Sequence, residues 1–208
     1  DALKKGLYET EEEKQRFIGI IHDETLRMNR LINDLFELSR MEIEQFPLEL
    51  QVVQVKDIIR DTVSKFEGVI EAKDIQCELF IEGTIPMIVV DVLRFEQILT
   101  NLLQNALKYT PIGKIGISVW AEQDMVKIAV SDTGIGIAEE ELPFIFERFY
   151  RVEKSRARSY GGTGLGLAIV KQLTKLQYGT IHVESQIGKG TTFTLFFPRY
   201  KEELNEDN

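Results

Sequence analysis

The sequence predicts an α+β fold: one mixed β-sheet covered by helices and preceded by a long bundle helix. Three observations carry this. A helical period runs from about Thr10 to Gln45. Beyond Pro47, helix-like and strand-like segments mix without strict βαβ alternation. Two β-branched segments, 114–121 and 125–131, adjoin through the polar turn 122–124 as a hairpin.

The elements follow in order. Thr10 and the acidic run Glu11, Glu12 and Glu13 have the composition of a capped helix start, and Pro47 closes the segment. Within it Ile21, Met28 and Leu35 form one heptad row, and Phe17, Leu31 and Leu38 another, as in a helix that packs in a bundle. The alternative is a core helix of the domain that follows. After Pro47, residues Leu48, Leu50, Val52 and Val53 predict a strand and 56–73 a helix. Strands are expected at 75–81 and 87–90, then a helix at 91–109 stopped by Pro111 and Gly113. Residues 151–163 are polar and without hydrophobic period, and read as a mobile loop. A helix at 165–176, strands at 180–185 and 191–197 and a charged tail complete the chain. The expected division is 1–46, 47–200 and 201–208.

With 25 basic against 34 acidic residues the formal charge is -9, which repels a phosphate backbone and argues against nucleic acid as a partner. Cys77, the single cysteine, has no disulfide partner within the chain, and no His/Cys cluster has zinc-site spacing. No apolar run reaches the roughly 18–20 residues that span a bilayer. A cytoplasmic location is expected. Opening on Asp1, the chain reads as part of a longer protein.

Three segments carry candidate chemistry. Asn101, Asn105 and Lys108, spaced by four and three, share one helix face, where amide oxygens suit Mg²⁺ and an ammonium offsets phosphate charge; a solvated helix face is the plainer alternative. Asp132-Thr133-Gly134-Ile135-Gly136 follows a strand. Its glycines allow close approach of a flat ligand, and its carboxylate can accept a hydrogen bond from an exocyclic amine; an Asp-stabilised turn is the other reading. Gly162-Thr163-Gly164-Leu165-Gly166 opens a helix whose free N–H groups favour an anion.

Taken together with Phe144-Ile145-Phe146-Glu147-Arg148-Phe149-Tyr150-Arg151 between the last two, their order closely resembles the sensor histidine kinases of two-component signalling. Residues 28–40 look like the second helix of the dimerisation domain in that family. The resemblance implies a Bergerat-type ATP-binding sandwich with ATP and Mg²⁺ as cofactors. It implies Asn105 as the Mg²⁺ ligand, Asn101 and Lys108 near the phosphates, Tyr109 beside the base and Asp132 as the adenine-reading carboxylate. Gly134 and Gly136 would line the base pocket. Gly162, Thr163, Gly164, Leu165 and Gly166 would end a lid over residues 151–163. Arg151 is similar in position to the family's γ-phosphate arginine, with Arg148, Arg156 and Arg158 competing for that role. The resemblance also implies a response regulator as partner, a homodimer through the helix at 10–45, and a parent protein anchored in the membrane.

Asn101 separates this pattern from the gyrase-type ATPases, whose glutamate at that position activates water. An amide cannot take the proton at neutral pH. A gyrase-, chaperone- or repair-type ATPase and a non-catalytic nucleotide-sensing module are the rival readings. The family's phosphoacceptor motif, like His-Glu-Leu-Arg-Thr-Pro, is absent from the sequence. His22 lacks the proline and falls on the second helix, and His182 is expected to face away from the core. The expectation is a fragment that binds Mg-ATP without phosphorylating itself.

Overall fold

The computed structural model describes residues 8, 10–42, 46–152 and 163–202. Helix α1 (Glu11–Glu42) starts at Thr10, whose hydroxyl accepts the Glu13 N–H at 3.1 Å and whose next residues place three carboxylates at the positive helix end. After α1 come β1 (Leu50–Val53), α2 (Val55–Ser64), α3 (Glu67–Ala72), β2 (Gln76–Ile81), β3 (Ile88–Asp91) and α4 (Val92–Tyr109). The chain continues through β4 (Lys114–Glu122), β5 (Met125–Asp132), a 3-10 turn at Glu139–Glu141, α5 (Gly166–Leu176), β6 (Thr180–Gln186) and β7 (Gly190–Pro198).

The main sheet is mixed, in the order β2-β4-β5-β7-β6, with β2 parallel to β4 and the other pairs antiparallel. Period-2 alternation sends Ile115, Ile117 and Val119, then Val126, Ile128 and Val130, then Phe193, Leu195 and Phe197 into the core. There they meet Phe95, Ile98, Leu99, Leu102 and Leu103 of α4 and Ile169, Val170 and Leu173 of α5. The Phe95 and Phe197 rings meet edge to face at 5.5 Å. The opposite sheet face carries no helix among the described residues. On it the Lys127 ammonium lies over the Trp120 and Phe196 rings at 5.9 and 5.4 Å. This two-layer α+β arrangement is the one expected.

Three details differ from expectation. The sheet is not single: β1 and β3 pair antiparallel as a separate ribbon, Leu50 opposite Asp91. The helix expected over 56–73 breaks at Lys65–Phe66. Partly buried Phe66 turns the chain so that α3 presents Ile70 to the core, while the inward positions Ile59, Thr62, Phe66 and Ile70 keep helical spacing across the break. The periodicity therefore conceals it. Finally, the two rows of α1 have separate fates. Leu31 and Leu38, with Met41, pack on the helical layer beside α5, whereas Ile21, Met28 and Leu35 stay exposed. The second half of α1 thus behaves as a core helix.

Polar contacts fix that seam. Glu37 takes the Arg94 guanidinium at 2.5 Å and the Gln97 amide at 2.6 Å, and Gln172 donates to the Met41 carbonyl at 3.3 Å. Asp91 anchors the start of α4: its carboxylate accepts the Arg94 N–H at 3.1 Å and the Glu49 N–H at 2.9 Å. Its own N–H donates to the Gln177 side chain at 2.8 Å. One capping residue so ties β1, α4 and the end of α5 together. The expected domain boundary at 46/47 falls beside residues 43–45, which lie outside the described residues.

Candidate functional site: a cavity between α4, α5 and the end of β5

One face of α4 enters the core, so the other is left to line an open cavity of about 650 Å³. Asn101, Gln104, Asn105 and Lys108 supply that wall, Asp132 and Gly136 the floor, and Thr163, Gly164 and Gly166 the edge at the start of α5. The Lys108 ammonium lies 4.8 Å from the centre of the Tyr109 ring. Asn101 donates its amide to the Gln97 carbonyl at 3.0 Å, and its oxygen sits where a Cβ on Gly166 would come within 3.0 Å. A side chain at Gly166 would wedge α4 from the N-terminus of α5.

Asp132 ends β5 with one carboxylate oxygen 2.8 Å from the Gly134 N–H. Burial pushes its carboxyl above the ordinary pKa, against the hydrogen bonds of the Gly134 and Thr191 N–H groups and the nearby Thr110 hydroxyl, which favour the charged form. Thr110 Oγ1 is itself buried without a well-formed hydrogen bond among the described residues. Close backbone packing holds this end: a Cβ on Gly134 would lie 2.2 Å from the Tyr109 carbonyl oxygen. One on Gly136, at φ +68°, would lie 2.0 Å from that of Gln186.

At the other end Thr163 bridges two elements. Its hydroxyl donates to Asp34 of α1 at 3.0 Å and accepts the Leu165 N–H at 3.3 Å. Burial pushes the Asp34 carboxyl up, while Thr163 and the charge of Arg30 pull it down. Facing α5, the segment after β5 turns back through Tyr150, which donates to the Glu141 carboxylate. Phe149, at φ +62°, brings its N–H to the Gly164 carbonyl at 3.0 Å.

Of the residues singled out in the sequence, the cavity brings together Asn101, Asn105, Lys108, Tyr109, Asp132, Gly136, Arg151, Thr163, Gly164 and Gly166. Gly134 shapes it from behind. Leu165 is fully buried in the core and does not line it. Gly162, with Arg156, Arg158 and most of the expected lid, lies outside the described residues. Sequence reasoning missed Thr110, Thr191, Gly190 and the α1 residues Arg27, Arg30 and Asp34. The α1 trio repeats at three and four and could have been read as a polar helix stripe; the others carry no motif. His22 and His182 are both exposed, and neither lines the cavity.

A mixed sheet under two helices, with an asparagine helix face opposite a half-buried aspartate and a glycine-rich helix start, defines an ATP-binding domain of one superfamily. The chain belongs to the family of histidine kinase-, DNA gyrase B-, and HSP90-like ATPases, whose family model matches residues 90–201. Within it, the chain is a catalytic domain of the sensor histidine kinase kind. It is 36% identical to the sensor histidine kinase WalK of Bacillus subtilis, over all of this chain and 34% of WalK. It is 38% identical to the circadian input-output histidine kinase CikA of Synechococcus elongatus, over 90% of this chain and 25% of CikA. The chain thus spans about a quarter to a third of these relatives. Among solved structures, full-length ShkA in complex with AMPPNP superposes with a TM-score of 0.78 at 26% identity, covering 95% of this chain and 42% of ShkA. The histidine kinase ThkA in complex with the response regulator protein TrrA gives 0.76 at 25%, covering 96% and 55%.

Proposed function

We propose that this chain binds Mg-ATP and donates its γ-phosphoryl group to a protein histidine, for relay to a response-regulator aspartate. The observation that carries the proposal is the convergence of Asn101, Asn105 and Lys108 with Asp132 and the N-terminus of α5 on one cavity. Adenine would sit against Ile135 and Tyr109 with its amino group on Asp132. The triphosphate would run toward Gly164 and Gly166, where Lys108 and the helix dipole offset its charge. The ThkA–TrrA complex supports a response regulator as partner.

The donor set suits Mg²⁺. Among the described residues no three His, Cys, Asp or Glu side chains are grouped to hold a metal, but Asn105 offers a hard amide oxygen of the kind that would hold Mg²⁺ together with nucleotide phosphates. Bound there, the ion would neutralise charge on the phosphates. The chain's own contribution is positioning. Asn101, with its amide tied to Gln97, has no basic atom with which to activate water, so ATP is held for a protein nucleophile. Arg151 at the cavity wall is assigned to the γ-phosphate.

His22 is exposed on α1 beside Asp23 and His182 is exposed on the open sheet face, so neither is assigned as acceptor. Incubated with radiolabelled Mg-ATP, the chain is expected to stay unlabelled and to label a separately supplied dimerisation domain carrying the acceptor histidine. The rate falls with the lost effective concentration of the tether, on the order of millimolar. Labelling that disappears in His22→Ala overturns the assignment. Labelling of neither protein at saturating Mg-ATP, with binding intact, favours a nucleotide-sensing module. Among the described residues no helix is long and apolar enough to cross a membrane. The exposed Ile21, Met28 and Leu35 row is assigned to homodimer packing in the parent protein, which we place at the membrane with this part in the cytoplasm.

A further inference from the structure

The two ends of the cavity differ in chemistry. Asp132 and Tyr109 close one end, while at the other Asn101 lies against Gly166 and Thr163 meets Asp34 of α1. There α1 contributes Arg27, Arg30 and Asp34 to the lining, one helical turn apart and on one face. Two of the three are already engaged. Glu24 holds the Arg27 guanidinium at 2.5–3.0 Å, and Asp34 accepts the Thr163 hydroxyl. Arg30 makes only a weak bond among the described residues, 3.4 Å to the Leu26 carbonyl within its own helix. A forked cation with most of its donors uncommitted therefore stands at the edge where a triphosphate running from Asp132 toward α5 would end.

We propose that Arg30 binds the terminal phosphate of the nucleoside triphosphate in this cavity, so that ATP, unlike ADP, ties α1 to the ATP-binding domain. The proposal rests on the ATP reading of the cavity. The planar guanidinium matches two phosphate oxygens, and the γ-phosphate is the one group that separates ATP from ADP. Asp34 and Glu141 also line the cavity as carboxylates, and each has a hydroxyl donor, from Thr163 and Tyr150. Of the two, Asp34 feels the charge of Arg30, which offsets that carboxylate where the polyphosphate would arrive. The contact also couples binding to position. A ligand that touches both α1 and α4 stabilises the docked seam of Leu31, Leu38 and Met41 by its difference in affinity for docked and undocked forms.

Titration calorimetry on the full chain tests this, with Mg-AMPPNP and Mg-ADP as probes. Arg30→Gln is expected to weaken AMPPNP about tenfold, the scale of one charged hydrogen bond, and to leave ADP within about twofold. Arg30→Lys, which keeps the charge, should recover part of the loss. Arg60→Gln, which removes an exposed guanidinium 3.7 Å from Asp57 and outside the cavity, should change neither ligand. Hydrogen exchange over residues 27–41 should slow more with AMPPNP than with ADP, and Arg30→Gln should erase that difference. Equal weakening of both nucleotides, or of neither, overturns the role of Arg30. If the unsubstituted chain binds neither nucleotide, the ATP reading itself fails, and the inference with it.

Discussion

Gly190 opens β7 at φ +111°, and a Cβ there would lie 1.8 Å from the carbonyl oxygen of Asp132 and 2.8 Å from Thr133 Cα. Gly188, two residues earlier in the same hairpin, has φ +76° and nothing within 4 Å of its Cβ position. The pair separates backbone strain from collision. Gly188→Ala meets only the conformational penalty, about 1–2 kcal/mol. Gly190→Ala adds an overlap with backbone that cannot rotate away, worth about 1–3 kcal/mol more as the strands shift. At roughly 2–4 °C per kcal/mol for a chain of this size, the melting temperature should fall by about 2–8 °C in the first and about 4–20 °C in the second. Circular dichroism melts give both values. Because β5 must move, Asp132 moves with it, so Gly190→Ala should also weaken Mg-AMPPNP in calorimetry while Gly188→Ala leaves it unchanged. Equal melting losses with unchanged affinity in both would refute the claim that the β6–β7 turn is what seats Asp132.

Other outcomes follow from the same geometry. Asp132→Asn removes a charged acceptor and should weaken adenine nucleotides about ten- to a hundredfold by calorimetry; equal affinities would take Asp132 out of the site. Burial raises the Asp132 carboxyl in the folded state, so the folded chain binds that proton more tightly than the unfolded one. Its contribution to stability therefore falls as pH rises through the interval above the ordinary carboxylate pKa, and Asp132→Asn should flatten that part of the pH–stability curve; an unchanged slope counts against it. Leu38→Ala removes a side chain only 2% exposed from the α1 seam and should cost about 2–5 kcal/mol of docking. Hydrogen exchange over the second half of α1 should then accelerate by at least about thirtyfold, with β4 and β5 unaffected, and uniform acceleration would mean that α1 is not a separable layer.

The strands and long helices were legible because each has one buried face. β4 and β7 alternate in burial along most of their length, β5 does so apart from Ala129, and α4 shows its apolar stripe and polar stripe in one reading. The break at Lys65–Phe66 was illegible because the inward spacing continues through it. The role of α1 was half legible. A heptad row states that a helix has an apolar face, and nothing in Leu31 or Leu38 says whether a bundle or α5 will cover it. Motif residues announced the site from α4, β5 and α5. Thr110, Thr191 and Gly190 did not announce themselves, since they act through backbone contacts and a buried hydroxyl made by chain segments far apart in sequence.

The one-sided seam of α1 makes it a lever. Among the described residues its contacts with the ATP-binding layer fall between Arg27 and Met41, and the stretch Glu11–Leu26 extends beyond them. At 1.5 Å per residue that arm is about 24 Å long. A tilt of about 10° at the pivot would carry its far end roughly 4 Å, about the rise of three helical residues. A rearrangement too small to disturb the packing of Leu38 would thus arrive amplified at the other end of the helix, and a displacement imposed there would reach Thr163 and the nucleotide cavity reduced in amplitude and increased in force.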